Sequence, residues 1–188
     1  LLVWYTNQFQ WKENILEIEK LNNFYTVYKT NIDKILLWEI YNNFSGKMRE
    51  LDLNKQFKIK DYEHSANPMW VELQTDDHPY INFLLNYFSI DKIDTKISLS
   101  RLPAGKELKD HKDIGRRSVL LVPISEVDSS LYINNENVAY NNKVLLMDAT
   151  TLHSVKKSTV DRITLQFAFR KNYSTIAKII EKIKLWVT

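Results

Sequence analysis

Cysteine is absent from the 188-residue chain. That excludes a disulfide framework, a thiolate zinc site and a thiol nucleophile, so any metal must be held by nitrogen and oxygen ligands. A run of about 18 uninterrupted apolar residues is also missing, and the apolar start Leu1–Tyr5 is too short for a signal segment, so no membrane span is expected. No block of like charge stands out. The formal net charge is +3 and the lysines are spread along the chain, which gives no electrostatic footprint for nucleic acid. With 44% apolar and 26% charged residues the composition is that of an ordinary globular protein, for which a cytoplasmic, intracellular location is the expectation.

The chain is read as a single domain over 1–188: a helical support region over 1–95, a β-rich core over 96–170 and a C-terminal helix over 171–188. Trp11, Ile15, Ile18 and Leu21 at helical spacing predict a helix over 8–22. Asn31 is the candidate cap of a second helix carrying Ile32, Leu36 and Ile40, with Gly46 as its stop. Asp77 is the candidate cap of a third, with Pro79 in its first turn and Tyr80, Phe83, Leu84 and Tyr87 on one stripe. From Ile97 the texture changes to short runs of β-forming residues at 96–102, 118–124, 131–133, 137–140, 143–147 and 162–170. They lie too close together for crossover helices, which predicts an antiparallel sandwich or jelly roll. In the last run Ile163, Leu165, Phe167 and Phe169 share one face, and Arg162, Thr164 and Gln166 share the other. Ile176, Ile179, Ile180, Ile183 and Val187 predict an amphipathic helix packed on the sheet.

Three residues carry the chemistry. His111 and Asp113, two apart on an expected strand, point to one face, and His153 lies far enough on for intervening strands to return the chain to the same mouth. Two imidazoles and one carboxylate cap one face of a metal ion and leave the opposite positions open, as in the facial triad of non-haem Fe(II) oxygenases. A single histidine of this kind is more often a satisfied polar residue than a ligand; the combination carries the reading. Beyond His153 comes Arg162-Ile-Thr164. An Arg fork binds a carboxylate bidentately and a hydroxyl two residues on adds a hydrogen bond, which suits a dicarboxylate. The competing reading of Asp161-Arg162 is a surface ion pair at a strand start. His64 and His78 receive no role.

The runs Ser100-Arg-Leu-Pro-Ala-Gly105-Lys-Glu-Leu-Lys-Asp-His111-Lys-Asp113, Arg116-Arg117-Ser-Val-Leu-Leu-Val-Pro123, Lys143-Val-Leu-Leu-Met-Asp148, His153-Ser-Val155 and Asp161-Arg162-Ile-Thr-Leu165 resemble the 2-oxoglutarate/Fe(II)-dependent oxygenases. Within them the likeness is to the aspartyl/asparaginyl β-hydroxylase group, which includes some free-proline hydroxylases, and it covers roughly residues 96–170. The resemblance implies a mainly β fold with flanking α-helices, a double-stranded β-helix (a cupin-like jelly roll). It implies His111, Asp113 and His153 as Fe(II) ligands, with 2-oxoglutarate and O2 as co-substrates. Arg162 would bind the distal carboxylate of 2-oxoglutarate, with Ser100 and Thr164 as further contacts and Arg117, in competition with Arg116, near its other end. The implied activity is hydroxylation of an aspartyl, asparaginyl or prolyl substrate, a small molecule or a peptide. A cupin-like metalloenzyme that does not use 2-oxoglutarate and a non-catalytic jelly-roll binding module are the alternatives.

Overall fold

Strand pairing reaches much further toward the N-terminus than residue 96. The computed structural model describes residues 16–51, 67–128 and 130–182. In chain order the described elements are β1 (Leu16–Leu21), β2 (Tyr25–Thr30), helix α1 (Lys34–Phe44) with a 3-10 turn at Ser45–Lys47, β3 (Arg49–Glu50), β4 (Met69–Leu73) and helix α2 (Pro79–Tyr87). Then come β5 (Thr95–Leu102), β6 (Leu108–His111), β7 (Ser118–Pro123), β8 (Leu131–Ile133), β9 (Glu136–Val138), β10 (Val144–Asp148), β11 (His153–Val155), β12 (Arg162–Phe169) and helix α3 (Tyr173–Lys182). An eight-stranded sheet has the order β1-β2-β10-β7-β12-β5-β4-β3 and a four-stranded sheet the order β6-β11-β8-β9. Every pairing is antiparallel. Facing each other, the two sheets make a double-stranded β-helix with helices on its outer face, the mainly β fold expected.

The expected helix over 8–22 is corrected where it can be seen. Residues 8–15 lie outside the described residues, and Leu16–Leu21 is strand β1, in which Leu16, Glu17, Ile18 and Glu19 alternate between half-buried and exposed. Period two wins because β2, buried from Tyr25 to Tyr28, offers a ladder to pair with, and tertiary pairing overrides a short helical period. The described residues of the region 1–95 therefore contribute four strands to the large sheet as well as two helices. The second expected helix forms, but its cap is Asp33, whose carboxylate accepts from Ile35 N and Leu36 N. The third forms as well, capped by His78 immediately before Pro79, its Nδ1 accepting from Tyr80 N at 3.1 Å. Asp77 instead accepts from Gln74 N in the preceding turn. Proline needs no amide partner at the first helical position, so the cap falls one residue before it.

The large sheet has a core on each face. On its outer face Ile97, Leu99, Leu165 and Phe167 pack with Leu37 and Ile40 of α1, Leu84 of α2, and Ile176 and Ile180 of α3. Each such side chain fully buried contributes about 1.5–3 kcal/mol. Ile183 and Val187, expected on the same helix stripe, lie outside the described residues. On the inner face Val27, Val119, Leu121, Leu145 and Met147 meet Leu131, Ile133, Val138 and Val155 of the small sheet. Beside this core lie polar inner positions of β5 and β12, among them Ser98, Arg162 and Thr164, and they form part of the site.

Candidate metal centre

His111 closes β6 and His153 opens β11, and the two are direct cross-strand partners. Asp113 is not on that strand, as the i,i+2 spacing had suggested, but in the loop that follows it. It joins the histidines because its N–H donates to Ala149 O at 2.9 Å. The loop then turns through Gly115 at φ 89°, a left-handed conformation that suits glycine.

The three ligand atoms lie within 4.8 Å of one another, and all three residues are buried. Asp113 Oδ1 is 3.9 Å from His111 Nε2, and Asp113 Oδ2 is 3.8 Å from His153 Nε2. His111 Nδ1 lies 2.7 Å from Lys109 O, and His153 Nδ1 lies 2.8 Å from Thr151 O. A carbonyl can only accept, so each neutral ring carries its proton on Nδ1 and turns the Nε2 lone pair toward Asp113. That is the tautomer a metal ligand needs. Asp113 Oδ2 accepts from Arg116 Nε at 2.7 Å, whereas Oδ1 is buried without a hydrogen-bond partner. A buried carboxylate oxygen left unpaired is costly. A cation held by Asp113 and the two histidines would supply the partner that this carboxylate lacks, and an N2O donor set suits a first-row divalent ion such as Fe(II). The residues present fit the metal.

The electrostatics favour the ligand-ready state. Burial pushes the Asp113 carboxyl upward, but the Arg116 guanidinium, aided by the two imidazoles, outweighs it and holds the group below its usual range. Burial lowers His153 to about 4, against the pull of Asp113. At neutral pH His153 is therefore uncharged, which leaves Arg116 as the permanent charge that keeps Asp113 ionised.

The polar face of β12 points into the barrel. Arg162 is 7% exposed, and its Nη1 donates to the Tyr140 hydroxyl at 3.0 Å. Thr164 is buried and lies opposite Ser100 of β5 in the strand register. One strand step of two residues is ~7 Å, so Gln166, Thr164 and Arg162 mark successive depths on one face. A cleft of about 580 Å³ opens beside the triad, with Trp70, Ser98, Ser100, His111, Asp113 and Arg116 among its walls. The structure thus brings His111, Asp113, His153, Arg162, Ser100 and Thr164 to one side of the large sheet.

It does not bring Arg117 there. The Arg117 side chain donates to Asn172 Oδ1 at 2.8 Å, and Arg116 is the residue turned to the triad. One residue of register decides between them: Arg117 N donates to Phe169 O and Arg117 O accepts from Ala149 N, which sets the side on which each arginine emerges. Tyr140, Ser98 and Gln166 were not singled out from the sequence. Ser98 and Gln166 could have been found, since each sits two residues from a candidate on the same strand face; nothing local marks Tyr140.

By sequence the chain matches no family model and no curated protein. By structure it is similar to a prolyl-4-hydroxylase from Pseudomonas putida, with a TM-score of 0.58 and 10% identity over 78% of this chain and 92% of that one. A prolyl hydroxylase from Trichoplax adhaerens, solved with a peptide fragment of the hypoxia inducible factor oxygen degradation domain, gives 0.58 and 17% over 85% of each chain. The viral collagen prolyl hydroxylase of Paramecium bursaria Chlorella virus-1, solved as its 2-oxoglutarate complex, gives 0.53 and 13% over 78% of this chain and 96% of that one. The likeness is one of fold. Among the described residues no helix is long and apolar enough to cross a membrane.

Proposed function

We propose that the chain is an Fe(II)- and 2-oxoglutarate-dependent dioxygenase that hydroxylates an amino-acid-type substrate, aspartyl, asparaginyl or prolyl, free or within a peptide. The observation that carries the reading is the buried Asp113 carboxylate, its Oδ1 without a hydrogen-bond partner, set between two imidazole Nε2 atoms whose Nδ1 atoms are engaged by backbone carbonyls. The fold shared with prolyl hydroxylases supports it.

His111, Asp113 and His153 would hold the metal. When bound, iron supplies activation of O2 coupled to oxidative decarboxylation of 2-oxoglutarate to succinate and CO2. The chain's own residues bind, orient and exclude water. Arg162 offers its guanidinium to the distal carboxylate of 2-oxoglutarate, and Tyr140 stiffens that guanidinium by accepting from Nη1. Thr164 and Ser100, facing each other across β12 and β5, add hydroxyl donors at an intermediate depth. Leu102 and Leu121 are buried in the apolar inner core alongside them and keep water from the carboxylate. Arg116 takes the place expected for Arg117 near the metal. The open cleft beside the triad is the place for the primary substrate.

The test is an anaerobic titration of the metal-free protein with Fe(II) and then 2-oxoglutarate, followed through the weak visible charge-transfer band of the chelated complex. The band is expected in the parent protein. It is lost on His111→Ala, and Arg162→Ala requires about a hundredfold more 2-oxoglutarate, the loss of a charge-assisted bidentate contact. Fe(II) binding without a band would replace this reading by a cupin-like metalloenzyme, and no binding at all would leave a jelly-roll binding module.

A further inference from the structure

One side chain holds both Asp113 and Gln166. Arg116 Nε donates to Asp113 Oδ2 at 2.7 Å, and Arg116 Nη1 donates to Gln166 Oε1 at 3.1 Å. The Asp113 side chain is 1% exposed and that of Arg116 33%, so the guanidinium closes the solvent side of a buried carboxylate. Its own position is fixed from both ends. The backbone turns at Gly115 on one side of Arg116, Arg117 on the other side is pinned through its N–H to Phe169 O and through its C=O to Ala149 N, and Gln166 sits on strand β12 within the large sheet. The consequence falls on Asp113. A carboxylate with both oxygens free can chelate a divalent ion through both. One whose Oδ2 accepts from a guanidinium keeps Oδ1 as its partnerless oxygen, and chelation through both would compete with that hydrogen bond for Oδ2.

We propose, on the metal-site reading above, that Arg116 is a positioning residue that restricts Asp113 to a single metal-directed oxygen, with Gln166 as the second anchor of its guanidinium. The restriction keeps one more coordination position open for co-substrate than a chelating aspartate would leave. An ammonium can also hold one carboxylate oxygen, but as a point charge it cannot span Asp113 and Gln166 as a planar fork does.

Metal affinity alone is a poor readout, because removing Arg116 both relieves repulsion of the ion and frees a chelating oxygen. The number of exchangeable waters on bound Mn(II), measured by proton relaxivity on the whole chain, reads the restriction directly. Their displacement then reports 2-oxoglutarate affinity, and a thermal melt confirms that each variant is folded. Arg116→Ala is expected to lose one exchangeable water and to bind 2-oxoglutarate about tenfold or more weakly. Arg116→Lys restores the water, and Gln166→Leu weakens 2-oxoglutarate binding by less than Arg116→Ala does. An Arg116→Ala protein with the parent water count, or an Arg116→Lys protein that behaves like Arg116→Ala, overturns the positioning role. A Gln166→Leu protein with parent affinity removes the second anchor. A parent protein that takes up no Mn(II) sinks the metal-site reading itself, a result distinct from the other three.

Discussion

Alternate residues of the same strands build the two faces of the large sheet, and the faces obey different rules. On β12 and β5, Leu165, Phe167 and Leu99 are buried against the helices, while Arg162, Thr164 and Ser98 are buried on the opposite side of the same strands. Burial is nearly equal on the two faces; the chemistry is not. The outer face lowers its free energy by removing apolar area from water. The inner face bears the desolvation of a guanidinium and two hydroxyls, with a carboxylate and two imidazoles contributed from the small sheet and its loop, and folding tolerates this because partners such as Tyr140 and Arg116 offset part of it. In this molecule, then, the side chain's partners, rather than its exposure, tell core from site.

The largest effect should come from breaking the outer face. Phe167→Ala is expected to cost about 3–5 kcal/mol in denaturant melts. Thr164→Val, on the same strand but facing inward, should change stability by less than about 1.5 kcal/mol and show itself in 2-oxoglutarate binding instead. Equal losses at the two positions would erase the distinction between the faces.

The inner face should carry a pH signature that the outer face cannot. His153 has its folded value lowered to about 4 from an ordinary 6.5, so between those values the unfolded chain holds a proton that the folded chain does not. Stability is therefore fully present above 6.5 and falls as pH is lowered toward 4, by as much as about 3 kcal/mol in the metal-free protein. Asp113, also lowered, acts in the same direction at still lower pH. Urea melts across this range should show the slope, and His153→Gln should flatten it. An unchanged slope in that variant would place the proton elsewhere.

A smaller effect sharpens the comparison at a single contact. Tyr140→Phe removes the hydroxyl that accepts from Arg162 while keeping the ring, and should cost about 1.5 kcal/mol, a typical hydrogen bond to a charged group. The same variant should raise the 2-oxoglutarate requirement. A stability loss with unaltered co-substrate binding would make Tyr140 a packing residue only.

Much of this was legible along the chain. The alternation over 162–169 assigned the two faces of β12 residue by residue, and Pro79 with the Tyr80, Phe83, Leu84 and Tyr87 stripe placed α2 to within a cap residue. The sequence also marked His111, Asp113 and His153 as three ligands of two types, which the fold gathers within 4.8 Å although Asp113 sits in a loop and not on the expected strand. These are properties of chain period and side-chain chemistry, which exist before any distant contact forms. Other features depended on partners remote in sequence. β1 became a strand because β2 lies beside it, and β2 pairs in turn with β10 more than a hundred residues on. Arg116 rather than Arg117 faces the site because Phe169 and Ala149 fix the strand entry, and Tyr140 reaches Arg162 only when the small sheet closes over the large one. The amino-acid sequence by itself determined which residues could serve as ligands and which faces were apolar; register, pairing and the choice between adjacent arginines were decided by the tertiary structure, because a one-residue slip reverses every side chain and only long-range hydrogen bonds forbid it.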